Sequence, residues 1–225
     1  MKEHFDAVYK IGVELEGGWE DEPDELRSDG SVSVNSAYVG EVSIGPYRQF
    51  INLAKGIRSD YPNNVNGSCG LHVHVSFRTL AYYEAILSLE FTNAFIEHMQ
   101  FWGKDNLGNE GIEYSRFHAR LGGDNQFCRR NTESDSLFAL LIGRGERYRI
   151  WNFPFRQHGT AECRVLPMFD EPENAILAIG EVVSFVDDWA LKHVDDPMPK
   201  CIVDDSSVDP MPLLDVMENI VCVLS

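Results

Sequence analysis

Apolar and polar residues alternate over residues 9–16, with Ile11, Val13 and Leu15 on one face, and this period of two predicts a β-strand ended by Gly17 and Gly18. Residues 20–30 are acidic and polar and read as a loop, and residues 31–44 contain two short strand-like pieces. Pro46 suits the first turn of a helix whose apolar stripe is Phe50, Leu53, Ala54 and Ile57. A turn-rich connection leads to a second clearly alternating stretch, residues 71–77, again a strand. Tyr83, Leu87, Phe91, Phe95 and Met99 recur every four residues and predict one long helix over 80–102. Residues 103–131 are polar and glycine-containing and read as an insertion or lid. Beyond them the pattern predicts a short helix at 136–142, strands at 147–153 and 160–166 joined by a turn near 157–159, and a helix carrying Ile176, Ile179, Val183, Val186 and Ala190. Asp170 and Glu173 around Pro172 form an expected capping pair for that helix. A polar loop at 195–209 and a short helix at 212–223 close the chain. No repeat or long linker divides it, so residues 1–225 read as one α+β domain, a mostly antiparallel sheet backed by helices.

The strands carry a repeated conflict. Glu14 and Glu16 lie two apart and project from one face, as do Glu41 and Ser43, His72 and His74, and Glu162 and Arg164. The residues between and beside them are apolar: Val13 and Leu15, Val42 and Ile44, Val73 and Val75, Cys163 and Val165. Each strand therefore turns one face to a core and carries carboxylates, imidazoles or a guanidinium on the other. A Glu-x-Glu alone is common, and a Glu-x-Arg alone is usually a surface ion pair. Their occurrence together on successive strands is far more specific. If the strands are neighbours, their carboxylates converge, and like charges that close require a cation. Oxygen-rich ligation suits Mg²⁺, and an imidazole in the set leaves room for Mn²⁺.

Charge and cysteine usage narrow the classes. The 225 residues include 36 acidic and 19 basic side chains, a formal net charge of −17. Such a polyanion repels nucleic acid and anionic membranes, so no direct nucleic-acid or membrane partner is expected. The five cysteines are widely spaced with no C-x-x-C, which argues against a disulfide framework or a thiolate zinc site and for a reducing compartment. Residues 1–9 lack an apolar signal-peptide core, and the longest apolar run, 137–142, is too short to span a bilayer. The expectation is a cytoplasmic protein.

Several motifs resemble those of a known group. Asn66-Gly67-Ser68-Cys69-Gly70-Leu71-His72-Val73-His74-Val75-Ser76 resembles the Asn-Gly-Ser-Gly-apolar-His-x-His-x-Ser stretch of glutamine synthetases, with one extra residue at Cys69. Gly12-Val13-Glu14-Leu15-Glu16 is similar to the first strand of the wider group that includes glutamate–cysteine ligases and amidoligases. Asp29-Gly30-Ser31, Glu41-Val42-Ser43, Arg147-Tyr148 with Asn152, and Thr160-Ala161-Glu162-Cys163-Arg164 resemble its later elements, in the same order, although Glu41 and Ser43 stand one residue closer than in many members. Nothing from Cys201 onward matches. The resemblance, best to the compact amidoligases, implies a glutamine synthetase-like curved half-barrel and an ATP-dependent carboxylate–amine ligase working through an acyl phosphate. It implies metal ligation by Glu14, His72 and Glu162 near the ATP phosphates and by Glu16 and Glu41 near the substrate carboxylate. It further implies that His74 sits by the nucleotide with Asn152, that Arg164 and Arg147 contact phosphate, and that Asp29 lies near the amine. The implied cofactors are ATP and Mg²⁺ or Mn²⁺, and the partners are small-molecule or peptide carboxylates and amines.

Two other classes stay open on the residues alone. A metal-dependent hydrolase could use the same Glu and His set to activate water without a nucleotide. A non-catalytic nucleotide-binding module is the second. Trp151, Phe153 and Phe155 read as a partner patch or, more ordinarily for strand-borne aromatics, as core.

Overall fold

The computed structural model describes residues 5–108, 110–123, 126, 128–132, 148–154 and 159–194. The expected helices at 136–142 and 212–223, Arg147 and Phe155 lie outside these residues.

Among the described residues, five strands form one open sheet: β1 (Val8–Trp19), β2 (Tyr38–Tyr47), β3 (Gly70–Phe77), β4 (Trp151–Asn152) and β5 (Ala161–Pro167), in the order β2-β1-β3-β5-β4. Every neighbouring pair is antiparallel. The described helices are α1 (Phe50–Ser59), α2 (Leu80–Ile86), α3 (Leu89–Asn106), α4 (Ile112–Leu121) and α5 (Pro172–His193), so the architecture is α+β as the patterning predicts. None of them is long and apolar enough to cross a membrane.

The core lies on the apolar face of the sheet. Ile11, Val13, Leu15, Leu71, Val73, Val75, Ala161, Cys163 and Val165 are all buried there, together with Phe50, Leu53 and Ile57 of α1 and Ile179, Val183 and Val186 of α5. Removing that much apolar surface from water is the main source of stability. Trp151 is 1 % exposed and its ring centroid lies 5.1 Å from those of Phe91 and Phe95, so this aromatic residue is core rather than a partner patch.

Four local expectations are corrected. The long helix over 80–102 is two: Ser88 interrupts it, its hydroxyl accepting from the Phe91 N–H at 3.0 Å to cap α3. Pro46 does not open a helix; it follows a cis peptide inside β2, and α1 begins at Phe50. Only one strand, β2, emerges from residues 31–44, because the Asp29 carboxylate accepts from both the Ser31 N–H and hydroxyl at 2.7 Å and turns the chain. Asp170 and Glu173 do not cap α5. Glu171 occupies that position without a side-chain bond, while Asp170 pairs with Arg116 and Glu173 with Arg58. The segment read as an insertion or lid contributes α4, which buries Phe117 and Leu121 and packs against β5.

Candidate metal and anion site

The antiparallel register gathers the charged side chains. Glu14 lies opposite His72 and Ser43, Glu16 opposite Glu41, and His74 opposite Glu162. Residues facing each other across a ladder have Cβ atoms about 5 Å apart, close enough for their side chains to meet. The charged ones project from the face of the sheet away from the hydrophobic core, because the residues that alternate with them, Val13, Leu15, Val42, Leu71, Val73, Val75, Ala161 and Cys163, are buried in that core.

His72, only 3 % exposed, stands at the centre. Its Nδ1 lies 3.1 Å from Glu14 Oε2 and 3.4 Å from Glu162 Oε1, and its Nε2 lies 3.5 Å from Glu16 Oε1. His74 Nε2 is 3.4 Å from Glu14 Oε1, while its Nδ1 is held 3.0 Å from the Thr160 hydroxyl, a partner that orients the ring. Glu162 is bound from two sides, by the Arg164 guanidinium and by Asn152 Nδ2 at 2.6 Å. The Arg164 guanidinium also lies 5.9 Å from the Tyr148 ring centroid. Glu16 accepts from the Gly70 N–H.

Gly70 is required by this crowding. A methyl group there would come within 2.9 Å of His72 Nε2 and 3.0 Å of both Glu16 Oε2 and an Arg120 nitrogen. Every side chain but hydrogen would push the three apart.

Two groups of side chains have the size and chemistry of a cation site. Glu14, His74 and Glu162 form one, Glu16, Asp29 and Glu41 the other, and within each group the ligand atoms lie within 4.8 Å of one another. Two ligands on opposite sides of one Mg²⁺ stand about 4.2 Å apart. The second group is all oxygen and fits a hard cation; the first, with one imidazole, fits Mg²⁺ or Mn²⁺. Of the residues expected to bind metal, Glu14, Glu16, Glu41 and Glu162 fall in these groups, and His72 stands between them.

The electrostatics show what the face lacks. Burial alone would raise the Glu14 pKa, yet hydrogen bonds from His72 and His74 hold it well below the carboxylate range. Burial likewise works against ionised Glu162, and His72, Arg164 and His74 outweigh it and depress its pKa. His74 is raised: burial opposes its charge, but Glu14 and Glu162 favour it. Glu41 is raised by burial and by the charges of Glu14, Asp29 and Glu16. Among the described residues, five carboxylates (Glu14, Glu16, Asp29, Glu41, Glu162) face two guanidinium groups (Arg120, Arg164), leaving three negative charges uncompensated when both imidazoles are neutral. A cation relieves that repulsion.

Beside these groups opens a cavity of about 190 Å³, lined by Glu16, Asp29, Ser31, Ser68, His72, Arg120, Tyr148 and Arg164. Arg120 is the residue that pattern reading overlooks. It lies on α4, shares the inner face with Phe117 and Leu121, and is 4 % exposed. A buried arginine one residue from a core leucine is the available signal. Burial pushes the neighbouring Cys128 thiol up to about 12 despite Arg120 and Arg164, which disfavours its thiolate.

Comparison of the chain with protein-family models, with curated proteins and with solved structures finds no match.

Proposed function

We propose that this protein is an ATP-dependent carboxylate–amine ligase of the amidoligase type, its open antiparallel sheet serving as a glutamine synthetase-like half-barrel. The observation that carries the reading is the pairing of two cation-sized groups of ligands on one sheet face with two buried guanidinium groups, Arg164 on that face and Arg120 on α4. A hydrolase that only activates water on a metal has no use for those arginines. A reaction that transfers a phosphoryl group to a carboxylate does, because its transition state spreads charge over several oxygens and its acid substrate brings a second anion to the site.

In this reading Glu14, His74 and Glu162 would hold one Mg²⁺ or Mn²⁺, and Glu16, Asp29 and Glu41 would hold the second. Bound there, such ions would supply positive charge against the triphosphate and the substrate carboxylate. Thr160 fixes the His74 ring, and Asn152 with Arg164 fixes Glu162, so neither ligand has to search for its orientation. Arg164, steadied by Glu162 and by the Tyr148 ring, supplies positive charge where phosphoryl oxygens collect. A carboxylate cannot expel oxide, so its oxygen first attacks the γ-phosphorus and ADP leaves. The amine nitrogen then attacks the acyl carbon of the resulting acyl phosphate, phosphate departs, and the nitrogen gives up a proton. Acid, amine and ATP become amide, ADP and phosphate.

Isothermal titration with a non-hydrolysable ATP analogue, with and without Mg²⁺, tests the reading. Binding that requires the metal and disappears in Glu162→Ala is expected, followed by ADP release when acid–amine pairs are supplied. Absence of binding by folded wild-type protein overturns it.

A further inference from the structure

Arg120 differs from Arg164, the other guanidinium of the site, in the partners it has among the described residues. Arg164 binds Glu162 through Nη1 and lies over the Tyr148 ring, although its Nε has no hydrogen-bond partner among the described residues. The Arg120 guanidinium, by contrast, makes no hydrogen bond or ion pair among the described residues, although the residue is only 4 % exposed. Its nearest carboxylate is already engaged: Glu16 takes the Gly70 N–H on Oε2 and faces His72 through Oε1. Burial disfavours the guanidinium charge and Glu16 restores only part of the loss. A buried charge without a partner is costly, and the group lines the cavity of about 190 Å³ rather than the core. That volume is about six waters' worth, the scale of a small organic anion and not of a whole nucleoside triphosphate.

We infer that Arg120 is the anchor for a carboxylate of the acid substrate, gripping it through the planar guanidinium fork. The geometry fits the chemistry. The cavity reaches from Arg120 to Glu16 and Asp29, two members of the all-oxygen cation group, so an acid held by Arg120 lies beside that group. A guanidinium presents paired donors that match the two oxygens of a carboxylate, which a lysine ammonium cannot reproduce. Ser31 and Ser68 border the same cavity, but their hydroxyls donate to Asp29 and Asn66, which leaves the guanidinium as the cavity's uncommitted donor among these three. The assignment rests on the ligase reading for the name "acid substrate", yet the anion site itself does not require a nucleotide.

The test is titration of the Mg²⁺-supplemented protein with glutarate, acetate and inorganic phosphate, in wild type, Arg120→Gln and Arg120→Lys, with the ATP analogue titrated separately. Wild type is expected to bind a carboxylate. Arg120→Gln should weaken that binding about 10- to 100-fold, the loss typical of a charged hydrogen-bonding partner, and Arg120→Lys should restore part of it. The ATP-analogue affinity should stay within about twofold in both variants. Thermal melts check that each variant is folded, and Arg120→Lys carries the test if Arg120→Gln is not. A carboxylate affinity unchanged in a folded variant overturns the inference, as does the absence of any carboxylate binding by wild type. Arg120 dependence seen with phosphate or the nucleotide alone overturns it as well, by moving the residue to the phosphoryl side. Failure of the wild type to bind nucleotide, with carboxylate binding still dependent on Arg120, sinks the ligase reading and leaves the anion site standing.

Discussion

At their centres the two faces of the sheet are buried to nearly the same degree and for opposite reasons. On one, Val73 and Cys163 are fully buried among aliphatic and aromatic side chains. On the other, His72, Glu16, Glu162 and Arg164 are each 6 % exposed or less. The first face gains free energy from every residue it hides. The second loses solvation for every charge it hides and recovers part of it through ion pairs and hydrogen bonds. One backbone, alternating its side chains, carries both. The lesson is that burial does not distinguish core from site; the sign of the burial energy does.

Substitutions should therefore move stability and binding in different directions on the two faces. The largest effect belongs to the core. Phe95 is fully buried between Phe91, Trp151 and Phe185. Phe95→Ala should cost about 3–5 kcal/mol by leaving a cavity, a fall in Tm of roughly 10 °C in a thermal melt. Its metal and nucleotide affinities, measured well below the melting range, should be unchanged. Glu41→Gln should do the reverse. Because burial and the neighbouring carboxylates Glu14, Asp29 and Glu16 make ionised Glu41 unfavourable, a neutral amide should raise metal-free stability at neutral pH, by up to about 1 kcal/mol given its partial exposure. The same substitution should cut Mg²⁺ affinity by about tenfold or more, since a charged ligand is lost. A Glu41→Gln protein that melts lower without metal would show that this face contributes to stability as the core does, and would erase the contrast.

The contrast also explains how much of the molecule was legible in the sequence. Strands β1, β3 and β5 were readable because their two faces differ so sharply: Val13 beside Glu14, Val73 beside His72 and His74, Cys163 beside Glu162 and Arg164. Register was not readable, because a one-residue slip leaves the sequence unchanged, yet register is what puts Glu14 opposite His72 and His74 opposite Glu162. The helix break at Ser88 was hidden by an apolar stripe that continues in phase through Leu87 and Phe91; only the cap bond of Ser88 reveals it. Arg120 was hidden by its surroundings, since residues 103–131 are polar enough to resemble a surface insertion and the period-two reading that finds the other ligands does not apply to a helix. Arg147, read as a phosphate contact, lies outside the described residues, and Tyr148 beside it lines the cavity.

The smallest expected effect is the dependence of metal-free stability on pH, and it should belong to the charged face alone. Glu14 and Glu162 have folded-state pKa values below the ordinary 4.5, so their contribution is present above that value and is lost as pH falls through the depressed ones. His74 has a folded-state pKa above the ordinary 6.5, so its contribution is complete below 6.5 and is lost as pH rises through the raised value. Stability without metal should thus be greatest between about 4.5 and 6.5 and decline on both sides. Metal affinity should rise along the alkaline limb, because an imidazole binds a cation only after losing its proton. The groups facing His74 are Glu14, Glu162, Arg164 and Thr160, and His74→Gln removes the titrating member while keeping a polar side chain against Thr160. Melting curves in chelator from pH 4 to 9 should show the alkaline decline, a few degrees in size, in wild type and its near absence in His74→Gln. An alkaline limb that survives the substitution would assign the pH response to another group and would leave His74 without the protonated partnership with Glu14 that its surroundings favour.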